Sequence, residues 1–481
     1  MNYKKTLLII GVLLLLLVPV YSAKPYADIL SSALENNLQM KNAELTYQSS
    51  LLTQEKSDLS KGVKVTVTSG EVSVLPKDNE TVFNKITGEF GEVVNEDISL
   101  TPSVKVELPN DGATTIEASS KLGFDYEKSG YYNTNPSLSV SHTFDLSGYD
   151  EDAVTSLNSS STRLSSELTY QKAKISFENQ LLTTISSLVS AEKSIASDEK
   201  KLSDQKQTLS DNLALGKMTE SSVNYKQSKN QINLLENTIA AEKRQYETLK
   251  TQYSDLTSLT WEGVSDLPEV DLTFTQLESG NTSVILKSIA SEVANENIKA
   301  KNAELNPRSV ALKTGASTLL SSSDKNVSAS VGVTYTQSNW SVSSTLSGSY
   351  DNEKLTPKLI LSGTWSNKTT KQSDEIDLKV LSNSLLKAQN DYQDEMTNYI
   401  QSSQNLELKI LQYNYKVEAQ SATDEYLKAD SEYQKELYDA GLATEKSVND
   451  ANFALEQNEY DKMLLAIEGL QLQNEIKQQN L

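Results

Sequence analysis

One stretch of the chain, 150–212, contains neither glycine nor proline. A helix over it would be roughly 95 Å long at about 1.5 Å per residue. A second helix predicted over 372–438 would reach about 100 Å. In the second stretch Tyr392, Met396, Tyr399, Ser403, Leu406, Ile410, Tyr413 and Val417 recur at alternating steps of four and three. In the first, Leu168, Ile175, Leu182 and Val189 recur every seven residues, and a shifted register continues through Ile195, Leu202 and Leu209. Such seams, with charged residues between them, mean coiled-coil packing. They also contain Ser, Gln, Glu and Tyr, which a hollow assembly of helices tolerates better than a solid bundle does.

Each long helix runs into a glycine. Gly216-Lys-Met-Thr219-Glu220-Ser-Ser222-Val223-Asn224 matches Gly441-Leu442-Ala-Thr444-Glu445-Lys-Ser447-Val448-Asn449 at six of nine positions, at an offset of 225. Lys-Asn-Ala-Glu-Leu also occurs at both 41–45 and 301–305. After Gly216 a returning helix is marked by Ile232, Leu235, Ile239, Glu242, Tyr246, Leu249 and Tyr253. The chain therefore reads as one unit repeated. The first unit, 24–256, has a helix over 28–60, a strand region over 63–146, the long helix 150–212, a reversal at 213–221 and a return helix over 222–256. A connecting segment, 257–282, follows. The second unit, 283–481, has a helix over 283–322 with a kink at Asn306-Pro307, a strand region over 327–365, the long helix 372–438, a reversal at 439–446 and a return over 447–479.

The strand regions alternate. Val327, Ala329, Val331, Val333 and Tyr335 interleave with Ser, Gly and Thr, and Val63, Val65 and Val67 interleave with Lys64, Thr66 and Thr68. Ile116, Ala118, Leu122 and Phe124 share a phase, as do Leu138, Val140, Phe144 and Leu146. Stretches 340–350 and 358–365 begin and end near Trp340 and Trp365. One apolar and one small polar face suits a membrane barrel, and equally a soluble β-sandwich. About four strands are expected in the first unit and three in the second. An even number is needed to return the chain to one side, so 327–350 would be one bent strand or one segment would lie outside the barrel. The acidic insertion 76–98, with Asp78, Glu80, Glu89, Glu92, Glu96 and Asp97, is expected to be a surface loop.

Lys4 and Lys5, the apolar run Leu7–Val20, and Ser22 and Ala23 form an export signal over 1–23, cleaved after Ser22 or Ala23. An uncleaved anchor is the other reading. With no other stretch as long and apolar as a membrane helix, re-entry into a membrane requires a closed barrel.

Glycine (18) and proline (9) are scarce in 481 residues, as long helices and a thin core require. Tyrosine (22) far outnumbers phenylalanine (7), which suits half-wet positions. A net charge of −21 disfavours nucleic acid as partner. The absence of cysteine excludes disulfides, thiolate metal sites and a lipidated N-terminal cysteine. The single histidine, His142, is expected to be structural. No nucleotide loop, nucleophile elbow or metal-ligand cluster is present, so no enzyme activity, cofactor or metal is expected.

Two units of helix, strands and long helix behind an export signal, each with a Gly-x-x-Thr turn, resemble the outer-membrane efflux proteins (the TolC-like family) over roughly 26–479. The resemblance implies a mainly α homotrimer in which a long coiled-coil helical barrel in the periplasm is continuous with an outer-membrane β-barrel. It implies passive export, with energy from an inner-membrane pump joined through a periplasmic adaptor. The adaptor would dock on Gly216, Thr219, Glu220, Gly441, Leu442, Thr444 and Glu445. Asp450 matches one of two aspartates that narrow the periplasmic entrance in related channels, and Ser447 stands where the other is common. Three Asp450 carboxylates in a pore would respond to pH or divalent ions; a solvated surface Asp450 is the alternative. A secreted coiled-coil structural or adhesin protein is the rival for the whole chain, and it explains the recurring strands poorly.

Overall fold

The computed structural model describes residues 23–60, 62–70, 72–74, 81–84, 89–92, 98–108, 114–125, 130–149, 151–321, 325–351, 353–366 and 371–481. The segment expected to be an export signal, apart from Ala23, lies outside the described residues, as does most of the acidic insertion.

The first described elements are β1 (Lys24–Pro25), α1 (Tyr26–Asn36) and α2 (Leu38–Ser60). The first strand region holds β2 (Lys64–Thr68), β3 (Val72–Val74), β4 (Thr81–Asn84), β5 (Glu89–Glu92), β6 (Ile98–Leu100), β7 (Ser103–Glu107), β8 (Thr114–Asp125) and β9 (Gly130–Asp145). The long helix α3 (Glu151–Ala214) and its return α4 (Val223–Thr257) follow, then β10 (Val264–Ser265) and α5 (Thr282–Leu305). The second strand region is β11 (Arg308–Ser321), β12 (Lys325–Gln337), β13 (Trp340–Asp351) and β14 (Lys354–Trp365). The long helix α6 (Lys371–Asp439) and its return α7 (Glu445–Asn480) end the chain.

Four sequence expectations are corrected. The helix predicted over 283–322 stops at Leu305, and 308–321 is the strand β11. Pro307 has no N–H to continue a helix and disfavours helical backbone at Asn306. Beyond it Val310, Leu312, Ala316 and Leu320 keep one phase of a two-residue period. The second strand region therefore has four strands, and 327–350 is not one bent strand: it breaks at Ser338, where φ is 52°. The helix predicted over 28–60 is two helices. Asn37 leaves helical backbone (φ −74°, ψ 121°), and its Oδ1 accepts from the N–H groups of Gln39 and Met40, capping α2. The insertion expected as a loop contains an antiparallel pair, β4 with β5.

The chain forms two compact units, and each sequence repeat contributes to both. The helical unit comprises the described part of Met1–Ser49, Leu164–Ile285 and Asp394–Leu481. Its main core gathers Tyr26, Ile29 and Ala33 of α1, Leu181, Leu182, Ile185 and Leu188 of α3, Tyr253 of α4, Trp261, and Ile467 and Leu470 of α7. Burial raises the Tyr253 hydroxyl to a pKa of about 12. The Glu192 carboxylate accepts from the Tyr246 hydroxyl and the Trp261 indole N–H, so the polar ends of two core aromatics are satisfied. A second cluster joins Leu406 and Tyr413 of α6 to Leu472 and Ile476 of α7, with Val270, Leu272 and Phe274 of the connecting segment packed against it. The seam read on α6 is thus buried from Tyr399 through Ser403, Leu406 and Tyr413, and Val417 is exposed.

The strand unit comprises Ser50–Arg163 and Leu286–Gln393. Its main sheet runs β14-β13-β12-β11-β9-β8-β6-β3, with β7 beside β8 and β2 beside β7. Its neighbouring strands pair antiparallel throughout. β6 and β7 lie end to end along β8, and β3 and β2 lie end to end beside them. Ten strands therefore occupy eight positions across the sheet.

Candidate functional site

Two features stand out: the paired helix reversals in the helical unit and the faces of the sheet in the strand unit.

The reversals share one geometry at the end of the outgoing helix. Gly216 has φ +65° and Gly441 φ +74°. The Gly216 N–H donates to the Leu213 carbonyl at 3.0 Å and the Lys217 N–H to Asn212 at 3.0 Å. Likewise the Gly441 N–H donates to Tyr438 at 2.9 Å and the Leu442 N–H to Leu437 at 2.7 Å. Both are Schellman motifs, which satisfy the last helical carbonyls and require left-handed backbone at the glycine.

The restarts differ. Thr444 caps α7: its hydroxyl accepts from the Ser447 N–H at 3.2 Å and meets the Ser447 hydroxyl at 2.9 Å. Thr219, its counterpart in the repeat, is not a cap. The cap of α4 is Ser222, whose hydroxyl accepts from the Tyr225 N–H and donates to the Thr219 carbonyl. Helix α4 thus starts three residues later than α7 relative to the repeat, and Thr219 and Glu220 belong to an exposed loop. Glu445 is exposed in the first turn of α7, where a carboxylate complements the helix dipole. Apolar side chains stand in solvent around both turns: Leu442 is 77% exposed, Val223 78% and Leu215 65%.

Asp450 is not a lone carboxylate. It accepts from Lys200 Nζ of α3 at 2.6 Å and from Lys446 Nζ at 2.8 Å. Asp204 of α3 accepts from Lys200 at 2.8 Å and Lys446 at 3.3 Å. Two lysines and two aspartates close a network between α3 and α7 in which the four charges cancel. The hydrogen bond from Lys200, then that from Lys446, holds the Asp450 carboxyl below its ordinary value. Lys200 does the same for Asp204. The two ammonium groups are raised by the same bonds. Sequence reasoning found Asp450 and missed Lys200, Asp204 and Lys446. The spacing of four in Lys446–Asp450 and Lys200–Asp204 was a signal that the pairs exist, and nothing in it joins one pair to the other.

The sheet has one apolar and one polar face, and register carries the apolar one from β14 through β13, β12, β11, β9, β8 and β7 to β2. Opposed in turn are Leu359 and Leu346, Leu346 and Val331, Val331 and Thr314, and Thr314 and Val140. The row continues through Val140 and Ile116, Ile116 and Val106, and Val106 and Val65. On the other face hydroxyls meet in pairs: Thr115 with Ser141, Ser119 with Ser137, Ser317 with Ser328, Ser341 with Thr364, and Ser343 with Ser362. His142 stands in the apolar row, where its Nδ1 bonds the Thr114 hydroxyl and its ring meets Phe144 edge-on. The apolar face is bare: Leu361 is 69% exposed, Leu359 62%, Leu346 57% and Leu138 52%. Trp340 and Trp365 are direct neighbours at one margin, with Tyr335 packed edge-on against Trp340. β14, exposed along its whole length, pairs only with β13 among the described strands. No described helix is long and apolar enough to cross a membrane.

Glycine-turned helical hairpins together with a sheet that is predominantly apolar on one face define a two-part chain, α-helical and antiparallel β. The chain belongs to the family described as TP096X N-terminal domain, whose model matches residues 29–273. No curated protein matches its sequence. Among solved structures it is similar to CusC, described by conformational changes accompanying folding and transmembrane channel formation, at 16% identity over 93% of this chain and 89% of that one, with a TM-score of 0.44. It is also similar to the outer-membrane channel OprN, at 11% identity over 96% and 95%, TM-score 0.49. A third is the open state of the Neisseria gonorrhoeae MtrE outer membrane channel, at 14% over 95% and 89%, TM-score 0.48.

Proposed function

We propose that this chain is one copy of an outer-membrane channel of the TolC-like kind. Its strands form part of a closed barrel in the outer membrane, and its helices line the route through the periplasm. The carrying observation is the predominantly apolar, exposed face of the sheet. Soluble monomers rarely expose contiguous apolar patches beyond a few hundred Å². A face that is apolar across eight strand positions calls for a cover, and acyl chains provide one while water meets the Ser- and Thr-rich face. Strands cross lipid only as a closed barrel, and among the described strands neither margin of this sheet is paired further. Further copies close it.

The dimensions suit a bilayer. From Trp365 back to Leu355 the apolar row of β14 covers ten residue steps, which at about 3.3 Å per residue and about 40° of tilt is roughly 25 Å. That is the height of an outer-membrane apolar band, and the tryptophans stand where an aromatic girdle belongs.

The finer reading is a homotrimer serving as exit duct of a tripartite efflux or type I secretion system. It conducts passively, and an inner-membrane pump supplies energy through an adaptor. The glycine turns are the docking tips, with Leu442, Val223 and Leu215 as the apolar contacts. Asp450 acts within its charge network, not as a bare ring of carboxylates. A secreted adhesin would leave the sheet face without a cover.

Fractionation and electrophysiology test the proposal together. The protein is expected to stay with outer membranes through high-salt and carbonate washes and to conduct ions in a planar bilayer. Release by carbonate as a water-soluble monomer would refute it.

A further inference from the structure

The sheet offers eight strand positions per chain, each long enough to cross an outer membrane. β8, β9, β11, β12, β13 and β14 have 12, 16, 14, 13, 12 and 12 residues. A membrane strand needs about 9–11. The two composite positions qualify as well. β2 (Lys64–Thr68) and β3 (Val72–Val74) lie end to end, with Gly70, where φ is +79°, following β2. β6 and β7 together run from 98 to 107. Each sequence repeat supplies four positions, so each leaves and returns to the same side. β9 meets β11 along eleven residue pairs, so the two sets of four are one continuous wall.

Resting on the trimeric channel reading, we infer that the strand-built part is a 24-stranded barrel whose mouth admits hydrated solutes of macromolecular size, an unfolded or small folded polypeptide being the scale that fits. Strands about 4.8 Å apart and tilted by about 40° give a circumference near 150 Å, hence a diameter between opposite backbones of about 48 Å. The polar face carries the longer Lys105, Glu117, Lys313 and Lys358 beside its short side chains, and extended lysines on opposite walls narrow the opening to about 36 Å. Ser139, Ser141, Ser328, Ser330, Gly332 and Ser343 are short, and several hydroxyls of that face satisfy each other across strands. The same eight positions closed by one chain would give a diameter of about 16 Å, an interior that side chains fill. In this chain β14 and the β2–β3 position stand at opposite margins of the sheet and do not meet. Size selection is therefore not made in the strand-built part.

The full chain in planar bilayers provides the test, with polyethylene glycols of graded size added to one chamber at a time. The chain has no cysteine, so L442C labelled by a membrane-impermeant maleimide reports which chamber faces the helical turns. Polymers up to about 30 Å in diameter, added from the opposite, strand side, are expected to partition into the mouth and lower the conductance. The mass of the detergent-extracted assembly should correspond to three copies. A conducting channel whose strand side excludes polymers of about 15 Å overturns the wide barrel and leaves the channel reading intact, as does a conducting assembly of one or two copies. Protein that neither inserts nor conducts removes the channel reading itself.

Discussion

Gly216 and Gly441 are where a single residue decides the chain's course. A Cβ at either would meet nothing within 4 Å, so the only penalty for alanine is the left-handed backbone. That penalty is about 1 kcal/mol. Gly216→Ala should therefore raise local opening of the last turn of α3 about five-fold, read as faster amide exchange there with the core unaffected. An unchanged exchange rate would mean that the turn does not depend on positive φ. The Asp450 network makes a prediction about pH. Its aspartates are depressed, so their contribution is present above the ordinary carboxylate value and lost as pH falls through the lowered one. Its lysines are raised, so theirs is present below the ordinary ammonium value and lost as pH rises through the raised one. Conductance should therefore be flat from about pH 5 to pH 9 and change only in stronger acid or base. An inflection near neutrality would point to a carboxylate outside this network. The glycines were legible in sequence because only a reversal needs them between two long heptad stretches. The displaced cap at Ser222 was not, since six identities in nine do not reveal which of Thr219 and Ser222 starts the helix.

Among the elements, β14 gives the sharpest contrast between the two faces. Leu361 lies in the apolar phase and Ser362 in the polar phase, paired with Ser343. Leu361→Arg should cost about 2–4 kcal/mol of folding free energy in lipid, and Ser362→Arg far less. Heat-modifiability on gels during refolding into vesicles measures both, and equal effects would argue against lipid on the apolar side. Helix α7 carries a comparable constraint. Gly469 is buried against the Tyr413 ring, and a Cβ there would overlap the ring hydroxyl and Val270. Gly469→Ala should destabilise the α6–α7 pair by about 1–3 kcal/mol through overpacking, seen as a lower melting temperature of the helical signal. Long helices were legible because heptads persist over many turns. The strand β11 was hidden by the helix that precedes it: Pro307 reads as a kink or as a stop, and only the two-residue period beyond it distinguishes them. The break at Asn37 is equally local, one side chain capping a new helix in the middle of a helical pattern.

At the scale of the whole molecule, the sequence repeat and the compact unit are different divisions of the chain. The repeat is visible in sequence because two halves carry the same reversal. The units are not visible there, because they arise from contacts between halves. The main helical core needs Tyr26, Leu181 and Tyr253 from the first half together with Ile467 and Leu470 from the second. The sheet is continuous only where β9 of one half meets β11 of the other. The family match, 29–273, ends in the connecting segment between them, where 275–279 is exposed. Two separate chains, 24–275 and 276–481, should therefore be unable to fold alone, because each presents an unfinished core and an extra open sheet margin. Produced together behind export signals they should assemble, since a break in an exposed loop removes no buried contact and costs little beyond the entropy of association. Protease resistance of the membrane fraction is the measurement. Resistance only when both halves are present fits interlocked halves, and a resistant core in either half alone would show that a repeat is itself a folding unit.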